Sequence, residues 1–208
     1  MKDLLDKLSD LKNSEINSSI RERLSEFRII KDKSLTDIFN ELCFCIMTAN
    51  CSAEKCIEVQ KRMENGFCKL DEQALSQQLK DFGYRFPNIR ANYIIKAREY
   101  QEQLFSKINS LLDHFELREW LVKNIKGLGY KEASHFLRNI GFTEFAIIDF
   151  HIVDLLTKFD LIEKPKTLSK AKYLKIEKLL GEIAKELNLN LAELDLYMWY
   201  METGKILK

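Results

Sequence analysis

Apolar side chains recur three and four residues apart along almost the whole chain, as in Ile16, Ile20, Leu24 and Phe27, or Leu180, Ile183 and Leu187. No stretch alternates with a period of two. This spacing lays one apolar stripe along each of a series of helices and predicts an all-α fold. Boundary signals agree with it. Asp71 is placed to cap a helix that carries Leu75 and Leu79 and stops before Gly83. Pro87 suits the first turn of a longer helix through Tyr93, Ala97, Tyr100 and Leu104. Ser169 precedes a helix through Leu174, Leu179 and Ile183, and a last helix runs from about Leu191 to Thr203, before Gly204. The run from Leu35 to Ala49 (LTDIFNELCFCIMTA) is apolar on most sides, so it predicts a central helix covered by neighbours.

Composition sharpens this picture. Seven glycines and 2 prolines in 208 residues are too few for the many tight turns of a sandwich or barrel, and a hydrophobic share of 46% supplies the core of one compact unit or two small lobes. No early stretch reads as a signal peptide, and no apolar run approaches the roughly 20 residues that cross a bilayer. The expectation is a cytoplasmic protein without membrane partners. The five cysteines, Cys43, Cys45, Cys51, Cys56 and Cys68, lie far from His114, His135 and His151. They read mostly as small buried apolar residues, with neither zinc nor a disulfide framework indicated.

A net charge of +1 gives no global field that would gather a polyanion. A nucleic-acid partner would need a local patch, such as Lys123, Lys126 and Lys131, or Arg85, Arg90, Lys96 and Arg98. Each patch taken alone also reads as an ordinary solvated helix face.

Chemistry concentrates between Leu117 and Ile152. A helix with Leu117, Trp120 and Leu121 meets Ile125-Lys126-Gly127-Leu128-Gly129, and a second helix carrying Ala133, Phe136, Leu137 and Ile140 starts near Tyr130. Two glycines flanking an inward leucine let the backbone reverse sharply, and the N–H groups that open the second helix suit a phosphate. This is a helix-hairpin-helix, which grips duplex backbone without reading bases; a plain connection in a helical bundle has the same glycine spacing. Lys131 lies in the first turn of the second helix, where the positive end of the helix works against an ammonium charge and toward a nucleophilic amine. Asp149 follows the apolar run Ala146-Ile147-Ile148 and precedes a helix through Ile152, Leu155 and Leu156. Its carboxylate can cap that helix, and it can also face the positive charge that develops on a sugar when an N-glycosidic bond breaks.

KGLGYK (Lys126 to Lys131) and IIDFH (Ile147 to His151) together resemble the helix-hairpin-helix glycosylase superfamily that includes endonuclease III and the 8-oxoguanine DNA glycosylases. The resemblance implies Lys131 as nucleophile, Asp149 as its catalytic partner, and Lys126, Gly127, Leu128 and Gly129 as the backbone-gripping hairpin. Asn50, in Met47 to Ser52, is similar to the family's amide that enters the duplex. Gly83-Tyr84-Arg85 resembles the segment that wedges and contacts the strands. The C-terminal stretch from Leu194 to Lys208 resembles the small archaeal-type 8-oxoguanine glycosylase/lyase subfamily, which implies Phe86, Asp195, Trp199 and Lys208 around a flipped base. Lys126 stands where the superfamily commonly has proline.

The same resemblance implies two helical lobes about an active-site cleft. A central helical-barrel lobe would span residues 30–137 and hold the hairpin (about 117–140); residues 1–29 plus 138–208 would form the other. It further implies a monomer, acting on double-stranded DNA with a damaged base and associated with the nucleoid. No cysteine follows Cys68, so no iron–sulfur cluster, other metal or cofactor is expected beyond a possible monovalent ion at the hairpin. Two other readings remain open at this stage: an endonuclease III-like enzyme for oxidised pyrimidines, and a hairpin module that binds DNA without catalysis.

Overall fold

The computed structural model describes residues 1–110 and 113–208, and every regular element among them is a helix. In chain order these are α1 (Lys2–Lys12), α2 (Ile16–Ile30), α3 (Leu35–Thr48), α4 (Ala53–Met63), α5 (Gly66–Lys69), α6 (Glu72–Asp81), α7 (Pro87–Arg98), α8 (Gln101–Ile108), α9 (His114–Asn124), α10 (Tyr130–Asn139), α11 (Phe150–Lys158), α12 (Lys170–Glu186) and α13 (Leu191–Thr203). They form two compact units, one spanning Ile29–Phe136 and the other combining Met1–Arg28 with Leu137–Lys208. None of the described helices is long and apolar enough to cross a membrane.

The Ile29–Phe136 unit is built on α3. Ser34 opens this helix with a capping box, its hydroxyl accepting from Asp37 N–H while the Asp37 carboxylate accepts from Ser34 N–H. From Ile38 to Met47 the helix is buried on nearly every side, including Phe39, Leu42, Cys43, Phe44 and Ile46. Helices α4, α5, α7 and α8 supply the cover.

The stretch expected as one helix from Pro87 to Leu104 divides into α7 and α8. At the break Glu99 N–H donates to Lys96 O and Tyr100 N–H to Ala97 O, a tightened turn, before Leu104 N–H resumes regular helix with Tyr100 O. The turn redirects the chain so that both pieces pack on α3, which a straight rod of that length would leave.

Sequence and structure agree at the end of α6. Gly83 adopts φ +71°, its N–H donates to Lys80 O and Tyr84 N–H reaches back to Leu79 O, the paired bonds of a Schellman motif. Asp71 caps the same helix by accepting from Ala74 N–H at 2.8 Å.

In the other unit α13 packs against α1, α11 and α12. Its core includes Leu4, Leu8, Leu155, Leu156, Ile183, Leu194 and Met198. The face of α12 differs from the expected one: Tyr173, Ile176, Leu180 and Ile183 are buried, whereas Leu174 and Leu179 are only half-buried. The polar ends of Tyr173 and Glu177 explain the rotation. The Tyr173 hydroxyl donates to Ala146 O (2.6 Å) and accepts from Ile148 N–H (3.3 Å), and Glu177 Oε1 accepts from Ala146 N–H (3.0 Å). A non-helical buried segment has no ladder for its backbone groups, so these side chains supply the partners.

That segment starts at a second Schellman turn, in which Phe142 N–H donates to Leu137 O and Gly141 N–H to Arg138 O. Gly141 has φ +95°, and a methyl group there would sit 2.9 Å from Arg28 Cα. Gly141→Ala therefore combines backbone strain with an unrelieved backbone contact, and urea unfolding is expected to show a loss of about 2–4 kcal/mol.

Candidate active site

The hairpin forms in the Ile29–Phe136 unit as the residue pattern requires. Helix α9 ends as Ile125 N–H donates to Leu121 O, a short turn closes with Leu128 N–H on Ile125 O, and α10 begins as Ala133 N–H reaches Gly129 O. Ile125 and Leu128 are buried, so the inward leucine pins the turn to its own unit. Only the first glycine has left-handed backbone, at φ +92°, and a Cβ on Gly127 would fall 2.4 Å from Tyr93 Cδ2. Lys126 Nζ lies 5.4 Å from the centroid of the same Tyr93 ring. Beneath the turn the buried Arg118 of α9 donates to Ser134 Oγ of α10 at 3.1 Å and ties the two helices together.

Lys131 occupies the first turn of α10 with 22% of its side chain exposed. Its Nζ lies 3.9 Å from Glu132 Oε1, while Gly129 N–H donates to Glu132 Oε2 at 3.1 Å. Lys131 is also close enough to Cys56 to act on it electrostatically. Burial pushes the Cys56 thiol well up, the neighbouring Cys51 thiol pushes it the same way, and the Lys131 charge pulls weakly against them. Cys56 is thus a neutral, buried thiol. Cys43 and Cys45 are buried too, Cys51 and Cys68 are half-buried, and none of the five takes part in a disulfide among the described residues.

Asn50, Tyr84, Arg85 and Phe86 belong to this unit as well. Asn50 is exposed at the exit of α3 with φ +61°, a conformation that asparagine tolerates better than most residues. Arg85 is exposed and stacks over the half-buried Phe86 ring at 4.9 Å. The wedge role expected of Tyr84 needs correction. Its side chain is 3% exposed, and its hydroxyl donates to Met47 O at 2.6 Å, with burial pushing the phenol up. A ring so enclosed braces the end of α3 and offers no face to a duplex. Arg90, read from sequence only as part of a basic patch, does similar work by donating to Ala49 O at 2.8 Å. Together they fix the backbone on which Asn50 is displayed.

Asp149, Asp195, Trp199 and Lys208 belong to the other unit. Asp149 closes the non-helical segment and caps α11, accepting from Ile152 N–H at 3.0 Å through Oδ1. The next residue, Phe150, is 67% exposed; its ring lies 4.0 Å from that of His151, which in turn meets Trp199 edge-on at 5.0 Å. Trp199 is half-buried, and its indole N–H is buried without a hydrogen-bond partner among the described residues. Asp195 forms a buried ion pair with Arg138 at 3.5 Å and lines a small apolar cavity with Ile147, Ile152 and Met198. The expected base-edge role of Asp195 therefore competes with a structural one. Lys208 is half-buried at the end of the chain. Among the described residues no three His, Cys, Asp or Glu side chains converge to hold a metal ion.

The 8-oxoguanine DNA glycosylase family model matches residues 20–189. A protein of Methanocaldococcus jannaschii called 8-oxoguanine DNA glycosylase/AP lyase is 50% identical over 99% of both chains, and one of Korarchaeum cryptofilum with the same name is 49% identical over 99% of this chain and 98% of its own. The crystal structure of the M. jannaschii 8-oxoguanine glycosylase/lyase in complex with 15mer DNA containing 8-oxoguanine superposes with a TM-score of 0.96, at 50% identity and 99% coverage of both chains. The crystal structure of the 8-oxoguanine DNA glycosylase of Thermotoga maritima gives 0.93 at 38% identity, covering 100% of this chain and 99% of its own.

The cap at Asp149 allows its structural and chemical roles to be separated. Asn keeps an oxygen for Ile152 N–H, so Asp149→Asn is expected to unfold within a few tenths of a kcal/mol of the parent, and Asp149→Ala about 1 kcal/mol below it, in urea titrations.

Proposed function

The chain belongs to the 8-oxoguanine DNA glycosylase family, and from that premise we propose that it removes 8-oxoguanine from double-stranded DNA and nicks the abasic site, using Lys131 and Asp149. The observation that carries the residue assignment is the place of Lys131. It is the one lysine in the first turn of α10, directly beyond a turn whose backbone is built to meet a phosphate.

In this scheme the hairpin residues Lys126, Gly127, Leu128 and Gly129 grip the strand backbone, Asn50 and Arg85 engage the duplex, and the damaged nucleotide turns out of the stack. The Lys131 amine attacks the anomeric carbon, a carbon–nitrogen bond forms, and the electron pair of the glycosidic bond leaves with the base, which takes up a proton. Asp149 stabilises the positive charge that grows on the sugar as that bond lengthens. Ring opening leaves a Schiff base on Lys131. Loss of a proton from C2′ then expels the 3′ phosphate by β-elimination, and water releases the enzyme. Phe86 and Trp199 provide faces for stacking on the base, with Asp195 and Lys208 at its edge. The unsatisfied indole N–H of Trp199 supports this part of the reading, since a buried donor without an acceptor is costly until a ligand supplies one.

No step in the scheme calls on a redox group; a monovalent ion, were one bound, would be held at the hairpin of Lys126, Gly127, Leu128 and Gly129 and would add positive charge there for a phosphate. The active form is a monomer, working in the cytoplasm on nucleoid DNA.

Borohydride trapping tests the proposal. Wild-type protein incubated with a duplex containing 8-oxoguanine should yield a covalent adduct, Lys131→Gln should yield none, and Asp149→Asn should form it about 10²-fold more slowly or worse. Binding without an adduct would instead mark a non-catalytic hairpin module, and a preference for oxidised pyrimidines across a panel of lesions would move the substrate.

A further inference from the structure

We infer that Glu132 is a built-in competitor for the hairpin's phosphate site, a residue that weakens the hairpin's grip on DNA backbone. The inference rests on the proposed role of the hairpin.

Its basis is the position of one carboxylate. Glu132 Oε2 already accepts from Gly129 N–H at 3.1 Å, and Oε1 lies 3.9 Å from Lys131 Nζ. The side chain is 15% exposed, so it lies on the turn and does not trail into solvent. A methyl group on Gly129 would be 3.2 Å from Oε2, which shows how closely the carboxylate sits over the glycine. In the free protein, Glu132 supplies the anion that the start of α10 attracts, as the third residue after Gly129 in a capping-box arrangement.

A phosphate oxygen taking the Gly129 N–H would need the space of Oε2 and would bring a second negative charge within a few ångströms. Two anions cannot share one donor, so the carboxylate must swing away each time backbone is gripped. That displacement is required on every stretch of duplex, damaged or not. Glu132 would thus loosen backbone binding through simple competition, with no conformational change beyond one side chain.

Glu132→Gln separates this role from a structural one. The amide oxygen keeps the hydrogen bond from Gly129, so the cap survives, while the charge that opposes phosphate is gone. Fluorescence anisotropy with an undamaged duplex at low ionic strength is expected to show E132Q binding about three- to tenfold more tightly than wild type, a gain that shrinks as salt rises. Glu163→Gln, an exposed acid outside the hairpin, measures the effect of removing any one negative charge and should gain less. The Gly129 amide resonance should shift at lower DNA concentration in E132Q than in wild type.

Loss of a purely structural cap would loosen binding, which is the opposite sign. Binding by E132Q that is weaker than wild type, equal to it, or no tighter than E163Q overturns the inference, as does a Gly129 amide that DNA leaves unmoved in both proteins. If wild type still forms its borohydride adduct in these cases, the enzymatic reading stands and only the role of Glu132 falls. Absence of the adduct would remove the enzymatic reading itself.

Discussion

The left-handed turn at Gly127, pressed against the Tyr93 ring, is the constraint on which the proposed chemistry depends. A side chain at that position would overlap Tyr93 Cδ2 at 2.4 Å, so only glycine lets the loop lie this close to α7. The close approach sets where α9 stops and α10 starts, and hence which residue falls in the first turn of α10. Buried Leu128 and the Arg118–Ser134 hydrogen bond hold the two helices at that junction. Lys131 is a candidate nucleophile because the turn presents it there, with its amine 3.9 Å from the partly buried Glu132 carboxylate and near enough to Cys56 to act on it electrostatically.

Asp149 is positioned by a different device. Between the Gly141 turn and α11 the chain is non-helical and buried from Phe145 to Ile148, and Tyr173 and Glu177 of α12 satisfy the backbone of Ala146 and Ile148 from the side. A segment so tethered ends at a fixed point, where Asp149 turns its carboxylate onto Ile152 N–H. Helix capping and charge stabilisation are compatible duties for one carboxylate: Oδ1 holds the cap, and a second oxygen is available for a developing cation.

Much of this was legible from residue order. Helix periodicity, the Asp71 and Ser169 caps, the enclosed α3 and the helix–glycine–leucine–glycine–helix unit all follow from local rules, because each is decided by neighbours in the chain. What escaped depends on contacts between distant positions. The face that α12 buries is chosen by the need of Ala146 and Ile148 for partners. The burial of Tyr84 is decided by Met47 O, and the pairing of Asp195 by Arg138. Glu132 could have been found, since a glutamate three residues after a helix-opening glycine is half of a capping box, but glycine has no side chain with which to complete the pattern.

The family, and with it the fold class, rests on matches over nearly the whole chain, whereas the assignment of the nucleophile rests on the hairpin. Mass spectrometry of the borohydride-reduced adduct after proteolysis tests that assignment most directly. The account predicts a deoxyribose remnant on the peptide that contains Lys131 and on no other. A remnant on Lys126, on Lys208 or on the amino terminus would contradict it.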